Sequence, residues 1–346
     1  MIHVAPRLHV ELEAGDKPAV HAALQHAIEL EHATMPPYLY ALYSLVPGRN
    51  RAIAEIIESV VVEEMLHLVL AANVLNALGG APVLDEPAVV PTYPGPLPGT
   101  VESDVVVGLA PFSIDLVGHV FMAIEEPEHP LEFPAAVAGP QPLTIGAFYR
   151  RIREKVVALG DSAFSAGPRN QISSRLVRRA VEVTDVRTAC EAIDTIVDQG
   201  EGTATVPLEV VGDDYAHYYR FAEIFHGRRL IPRPHAPPGA PPDERYIYGG
   251  DPVPFDPGGV LAAPTNPKAS DHPAGSAARE VCDTFNDTYT DLLGVLHATL
   301  NGEPSGFYSA IGLMMSLKQQ AKDMMSGTVA AGATVGPTFE YQPADP

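Results

Sequence analysis

The 346-residue sequence predicts a mainly α-helical protein built around a four-helix bundle. Long segments place apolar residues at the 3.6-residue period of one helix face. Two segments also carry a carboxylate three residues before a histidine, as Glu64-Met-Leu-His67 and Asp214-Tyr-Ala-His217. Residues three apart lie on the same face of a helix, so each pair could bind one metal ion. Helices that present such pairs to one another are typical of a bundle.

The first two predicted helices form an antiparallel hairpin. Residues 18–46 carry one continuous apolar stripe, and Pro47-Gly48 ends that helix. Residues 51–79 carry a second stripe, which ends in a pair of glycines. The connection between them is short, so the two helices must lie side by side in opposite directions.

The later segments predict shorter helices separated by irregular stretches. Residues 81–111 are rich in proline and valine, which indicates an ordered excursion over the bundle surface. Residues 229–275 hold twelve prolines and six glycines, too many for a regular helix or a central strand. A stretch of that length is either a functional cover or partly disordered. The other predicted helices cover residues 113–126, 144–158, 185–200, 213–227, 276–300 and 304–326.

Several candidate metal ligands lie within the apolar stripes. Glu31 is in the middle of the first stripe, and Glu64 and His67 are in the second. Burying unpaired carboxylates is costly, and a shared metal ion compensates them. At about 1.5 Å per residue, Glu31 and Glu64 both lie roughly 20–24 Å from the hairpin turn, so they face each other. Asp214 and His217 occupy the same kind of position on a later helix.

A further carboxylate would complete the set, and two residues compete for that role. Glu201 lies at the end of its predicted helix between two glycines, which allow close approach, and it is preferred. Glu125, at the end of the predicted helix over 113–126, is the alternative. Glu63 points about 100° away from Glu64 around the helix and is left out. Two carboxylate–x–x–His pairs and two single carboxylates are the ligands of ferritin-like di-metal bundles.

These elements predict a ferritin-like four-helix bundle with additional C-terminal helices and long Pro-rich excursions. The bundle covers residues 1–228, including the surface excursion at 81–111. A Pro/Gly-rich covering segment follows at 229–275. The C-terminal helices within 276–346 pack on the same domain, with a tail from about residue 328.

Composition excludes several classes of partner. The chain has 22 Lys and Arg against 43 Asp and Glu, a formal charge of −21, which argues against nucleic acid and anionic membranes. Acidic residues and a histidine interrupt the most apolar stretch, Val60–Leu78, so it cannot span a membrane. The first residues show no signal-peptide pattern. Cys190 and Cys282 are expected to be free buried thiols, and the expected location is cytoplasmic.

Several stretches resemble the ferritin-like family named after iminophenylpyruvate dimer synthase. This family includes the ferritin-like part of the imine-coupling enzyme of violacein biosynthesis. The resemblance implies a di-metal core and oxidative chemistry on a small molecule, in the setting of secondary metabolism. Asp214 stands where such bundles usually carry Glu. The matching runs are Leu24–Tyr43, Glu63–Gly80, Gln199–Thr203, His217–Phe221 and Val260–Pro267.

The predicted function is that of a di-metal carboxylate oxidase or oxygenase, which uses O₂ or peroxide on a small organic substrate. The ligands include no thiolate, which suits two ions of iron, or of manganese. No residue is singled out as an acid–base catalyst. A metal-binding or O₂/peroxide-handling protein without an organic substrate and a metal-free scaffold remain as alternatives. A homodimer is compatible with the sequence, which does not require one. The predicted ligand set is Glu31, Glu64, His67, Glu201, Asp214 and His217.

Overall fold

The computed structural model describes residues 6–99, 105–127, 144–200, 214–237, 240, 242–327 and 335–343. The preferred ligand Glu201 therefore lies outside the described residues. The helices are α1 (Pro6–Glu13), α2 (Lys17–Tyr43), α3 (Arg51–Ala77), α4 (Ile114–Leu116, Val117–Phe121 and Met122–Ile124 in succession, the middle stretch π-helical), α5 (Ile145–Leu159), α6 (Val186–Gly200), α7 (His217–His226), α8 (Pro242–Arg245), α9 (Ala277–Leu300) and α10 (Phe307–Met325). The strands are β1 (Arg228–Pro232) and β2 (Tyr246–Pro252).

A four-helix bundle forms the centre of the molecule, which confirms the predicted fold class. Helix α2 packs along α3, and α5 packs along α6. Contacts of α3 with α6 and of α2 with α5 close the ring. Each helix places fully buried branched side chains inside, at about 1.5–3 kcal/mol of burial energy for each. Examples from the four helices are Ile28, Ile57, Ile152 and Ile193.

The α2–α3 hairpin has the predicted form. The Asp16 side chain accepts a hydrogen bond from the backbone N–H of Ala19 at 2.9 Å and caps the start of α2. Helix α3 ends before Gly79, whose φ of +82° is a conformation that glycine adopts without strain. The turn between the helices is held by Asn50, whose side chain bonds the backbone of Asp256 in both directions, at 3.0 and 2.7 Å.

Helix α2 continues through Pro36 and Pro37. Pro37 lacks the N–H that would bond the carbonyl of Ala33 one turn earlier. The hydroxyl of Tyr93 donates to that carbonyl instead, at 2.8 Å, and both residues are buried. Tyr93 belongs to the irregular stretch that follows α3. This stretch therefore lies against the bundle and supplies a hydrogen bond that the helix itself cannot make.

The described part of the Pro/Gly-rich segment contains a two-stranded ribbon and contacts the hairpin turn. Strands β1 and β2 pair antiparallel, with Leu230 opposite Tyr248. Each strand ends in a proline, a position where the missing N–H is tolerated. Further along, the backbone N–H of Val46 donates to Gly259 at 2.9 Å. A two-stranded ribbon has only edge strands, so the proline content is compatible with it.

The two long C-terminal helices pack against each other and against the hairpin, α10 on α2 and α9 on α3. Both cysteines are free and buried, as predicted. Among the described residues, no helix combines the length and apolar character needed to cross a membrane.

Candidate metal centre

Five ionisable side chains converge inside the bundle, and each is at least nine-tenths buried. His217 Nδ1 lies 2.8 Å from Glu64 Oε1 and 3.5 Å from Glu125 Oε2. His67 Nδ1 lies 3.4 Å from Glu31 Oε2. The two imidazole rings are stacked, with centroids 5.2 Å apart. One ligand atom each from Glu64, His67 and His217 can be chosen so that all lie within 4.8 Å of one another, a grouping that could hold a metal ion.

The α2–α3 hairpin supplies three members of this cluster, as the sequence predicted. Glu31 lies in α2, and Glu64 and His67 lie one turn apart on the inner face of α3. The hydroxyl of Thr34, one turn after Glu31, donates to Glu64 Oε2 at 2.7 Å. The equal distances of Glu31 and Glu64 from the hairpin turn therefore do bring them to the same height.

Glu125, the alternative ligand, follows the last residue of α4 and points into the cluster. The hydroxyl of Tyr38 donates to Glu125 Oε1 at 2.5 Å. Helix α4 approaches α7 closely at Gly118, where a Cβ atom would lie 2.6 Å from the Phe225 ring. The π-helical stretch before Glu125 widens the helix and changes which residues face inward, as π-turns near functional sites commonly do.

Asp214 does not join the cluster, and the prediction that a helix begins at residue 213 is wrong. Helix α7 begins at His217, and the backbone of Ala216 is extended, with φ −58° and ψ 159°. Asp214 therefore precedes the helix, in an exposed bend. The carboxylate–x–x–His spacing places both side chains on one face only when the whole interval is helical.

Glu63, which was not among the predicted ligands, contacts the ring nitrogen of His217 that faces away from Glu64 and Glu125. Its Oε2 accepts a hydrogen bond from His217 Nε2 at 3.0 Å and forms an ion pair with Arg220. Burial alone would raise the pKa of Glu63, but the hydrogen bond from His217 and the charge of Arg220 lower the pKa to about 2. The ionised carboxylate holds the His217 ring with Nδ1 turned toward Glu64 and Glu125.

The metal-free cluster carries more carboxylates than its surroundings can balance. Burial raises the pKa of Glu31 to about 7. Burial and neighbouring carboxylates raise the pKa values of Glu64 and Glu125 as well. Burial lowers the pKa of His217, but its contacts with the carboxylates outweigh burial and raise the pKa above its ordinary range. A cation would favour the ionised form of each carboxylate, so the donor set fits a metal ion.

The two imidazoles differ in readiness to bind a metal. His217 is held through Nε2 by Glu63, and its Nδ1 faces Glu64 Oε1 at 2.8 Å. His67 Nε2 lies 2.9 Å from the Gln199 amide. That amide is best satisfied when its oxygen accepts from Arg179 at 2.7 Å and its NH₂ donates to His67. Metal binding at His67 Nδ1 requires a proton on Nε2, and therefore the opposite amide orientation.

A small cavity of about 50 Å³ adjoins the cluster. The Tyr149 hydroxyl, on its wall, donates to Glu31 Oε1. A water molecule needs about 10–15 Å³ on this measure, so the cavity accepts a diatomic or a few waters. Apart from Thr34, the other wall residues are apolar or belong to the cluster. The apolar ones include Leu30, Ile124, Ile145, Ile196 and Val197.

The structure is thus a helical bundle with a buried carboxylate–imidazole cluster that could hold a metal ion. The ferritin-like family model matches residues 24–226, more than half of the chain, and the protein therefore belongs to the ferritin-like family. The crystal structure of a ferritin-like protein from Caulobacter vibrioides shares the fold, with a TM-score of 0.61 and 22% sequence identity over 94% of this chain and 98% of that chain. None of the curated proteins compared with the sequence matches it.

Proposed function

We propose that the protein is a di-metal oxidase or oxygenase that uses O₂ or peroxide to oxidise a small organic molecule. The observation that carries this proposal is the convergence of buried carboxylates and two imidazoles without a thiolate, a donor set that suits iron or manganese. Membership of the ferritin-like family supports it. The residues proposed to hold the metals are Glu31, Glu64, His67, Glu125 and His217, with Glu201 as a further candidate.

The proposed subclass within the family is the iminophenylpyruvate dimer synthase group. The support for it is the similarity of the runs Leu24–Tyr43 and Glu63–Gly80, which hold three of the proposed ligands. A role in secondary metabolism and a cytoplasmic location are part of the same proposal.

When bound, the two metal ions would supply redox chemistry toward O₂ or peroxide. The chain's own groups position the ligands and hold protons. Glu63 keeps the proton on His217 Nε2, so that Nδ1 remains free to bind. The Tyr149 hydroxyl donates to Glu31, and the Tyr38 hydroxyl donates to Glu125. Glu31, with a pKa of about 7 in the metal-free protein, would release its proton on binding a metal.

The first test is metal content. Protein purified without chelator and reconstituted anaerobically with Fe(II) is expected to hold close to two ions per chain. Glu64→Ala and His217→Ala should lose most of that metal. Asp214→Asn is the matched control, because this carboxylate is exposed and outside the cluster. Absence of bound metal in the reconstituted wild type would refute the proposal, as would equal metal content in all four proteins.

The small cavity favours a second candidate function, an O₂- or peroxide-handling protein without an organic substrate. About 50 Å³ admits a diatomic molecule, whereas organic ligands usually occupy cavities of roughly 300–1,000 Å³. The two functions differ in what limits turnover. Sustained peroxide or O₂ consumption by the Fe(II) protein with a simple inorganic reductant alone supports the second function. A single turnover that stops until an organic compound is added supports the first.

A further inference from the structure

The outer nitrogens of the two cluster histidines face hydrogen-bond partners of different kinds. His217 Nε2 donates to Glu63, a carboxylate that can only accept. His67 Nε2 lies 2.9 Å from the side-chain amide of Gln199, which can either donate or accept. We propose that Gln199, oriented by Arg179, is a positioning residue that holds His67 in the tautomer unable to bind a metal through Nδ1. Under the proposed di-metal function, on which this inference rests, an ion binds at His67 only when the Gln199 amide turns over.

Arg179 fixes the direction in which the Gln199 amide points. A guanidinium only donates, so the amide oxygen faces it, at 2.7 Å from Nη1 and 3.3 Å from Nη2. The NH₂ group then faces His67 and donates to Nε2. A ring nitrogen that accepts carries no proton, so the ring proton is on Nδ1, the atom that lies 3.4 Å from Glu31. A protonated Nδ1 has no lone pair to offer a metal ion.

The backbone on both sides of Arg179 is fastened to α3. Asn73, fully buried on that helix, donates to the carbonyls of Ile172 and Val181 at 2.9 and 2.8 Å. Arg179 lies between these two anchors with φ +71°, a left-handed conformation that is unfavourable for residues other than glycine. Its Nη1 also lies 3.9 Å from Glu63 Oε1. Backbone strain of this kind is concentrated at functional sites, where the surrounding structure holds it in place.

A chain of polar contacts therefore joins the outer faces of the two histidines. It runs from His217 through Glu63, Arg179 and Gln199 to His67. Metal binding through His217 Nδ1 leaves the hydrogen bond from Nε2 to Glu63 in place. Binding through His67 Nδ1 requires the ring proton on Nε2, so the amide must turn and its oxygen leaves the guanidinium. Gln199 is 1% exposed, and losing this buried hydrogen bond to a charged group lowers the affinity for the ion.

The first test determines the His67 tautomer in the metal-free protein and needs no bound ion. Long-range ¹H–¹⁵N correlation spectra of ¹⁵N-histidine-labelled protein in chelator show which ring nitrogens carry a proton, and the His67 signals are those missing in His67→Asn. The wild type should show Nε2 without a proton. Gln199→Glu, whose carboxylate accepts from both Arg179 and the ring, should show Nε2 with a proton. Gln319→Glu, exposed on α10, adds the same charge and should leave the His67 signals unchanged.

The second test measures affinity by titration with Co(II), whose visible absorption reports each bound ion. The binding step that disappears in His67→Asn is assigned to the His67 position. Gln199→Glu should strengthen that step by about tenfold to 100-fold, the range found when the hydrogen-bond partner of a metal-binding histidine is changed. Arg179→Met should also strengthen it, because the amide can then turn without losing the bond to the guanidinium. Both variants should strengthen this step more than the other step, whereas a general effect of charge would strengthen both alike.

The outcomes separate this inference from the proposed function. No bound Co(II) in any of these proteins would overturn the di-metal function and this inference with it. Two ions in the wild type, with both steps unchanged or equally strengthened in Gln199→Glu and Arg179→Met, would overturn the inference alone. A proton on His67 Nε2 in the metal-free wild type would also overturn it. So would a single binding step that is lost in both His67→Asn and His217→Ala, since one shared ion has no separate His67 position.

Discussion

The titration of the Glu31 carboxyl can be used to test whether the cluster favours a bound cation. In the metal-free folded protein, burial raises its pKa to about 7, against an ordinary value of 4.5. The folded chain therefore retains a proton that the unfolded chain loses between these two pH values. The stability contributed by this proton is fully present below pH 4.5 and is lost as the pH rises through 7. At ~1.4 kcal/mol per pH unit, the loss amounts to about 3 kcal/mol.

Glu31→Gln removes the titration and keeps an oxygen that accepts from the Tyr149 hydroxyl. In chelator, the variant should match the wild type near pH 4.5 and exceed its free energy of unfolding by about 3 kcal/mol at pH 8. Urea denaturation followed by circular dichroism at pH 4.5, 6, 7 and 8 measures this difference. Interaction with Glu64 and Glu125 spreads the transition over a wider pH range but does not change its sign.

Fe(II) should reverse the order. Under anaerobic conditions at pH 8, the metal should stabilise the wild type, whose carboxylate is then neutralised, and stabilise Glu31→Gln much less. Glu303→Gln, at an exposed carboxylate, is the matched control and should change neither curve. Parallel stability curves for the wild type and Glu31→Gln from pH 4.5 to 8 would refute the reasoning about this carboxyl.

Three further predictions concern positions around the cluster. Glu63→Gln should lower metal affinity about tenfold to 100-fold by loosening the ring that it orients, measured by competition with a chromogenic chelator; unchanged affinity would contradict that role. Tyr93→Phe should lower the free energy of unfolding, measured by urea denaturation, by about 1–3 kcal/mol, because it leaves the buried Ala33 carbonyl unpaired. In a Pro37→Ala background the restored N–H bonds that carbonyl, so the same substitution should cost much less. Equal costs in both backgrounds would contradict the role of Tyr93 as a substitute donor. Glu125→Ala should reduce the metal content measured by elemental analysis, and Asp214→Asn should not. Loss of metal in Asp214→Asn but not in Glu125→Ala would return Asp214 to the ligand set.

The hairpin part of the site could be predicted from sequence because its determinants are local. Apolar periodicity identified the inner faces of α2 and α3, and the short turn fixed their relative height. Glu31, Glu64 and His67 therefore meet where the sequence placed them. The same kind of argument gave a wrong position for Asp214. Helical periodicity does not predict where a side chain lies when the backbone is extended, as it is at Ala216. Helix ends depend on capping and tertiary packing more than on periodicity.

The fold class and the excess of acidic residues could be read from the sequence alone. Both follow from residue spacing and composition, which do not depend on how distant segments pack. Tertiary packing was needed to bring Glu125 and Glu63 into contact with His217 and to bring the Tyr93 hydroxyl to a carbonyl of α2. These contacts join segments tens to hundreds of residues apart. The Glu125 contact also depends on the π-helical stretch of α4 and on the close packing of α4 against α7, which no local pattern in the sequence encodes.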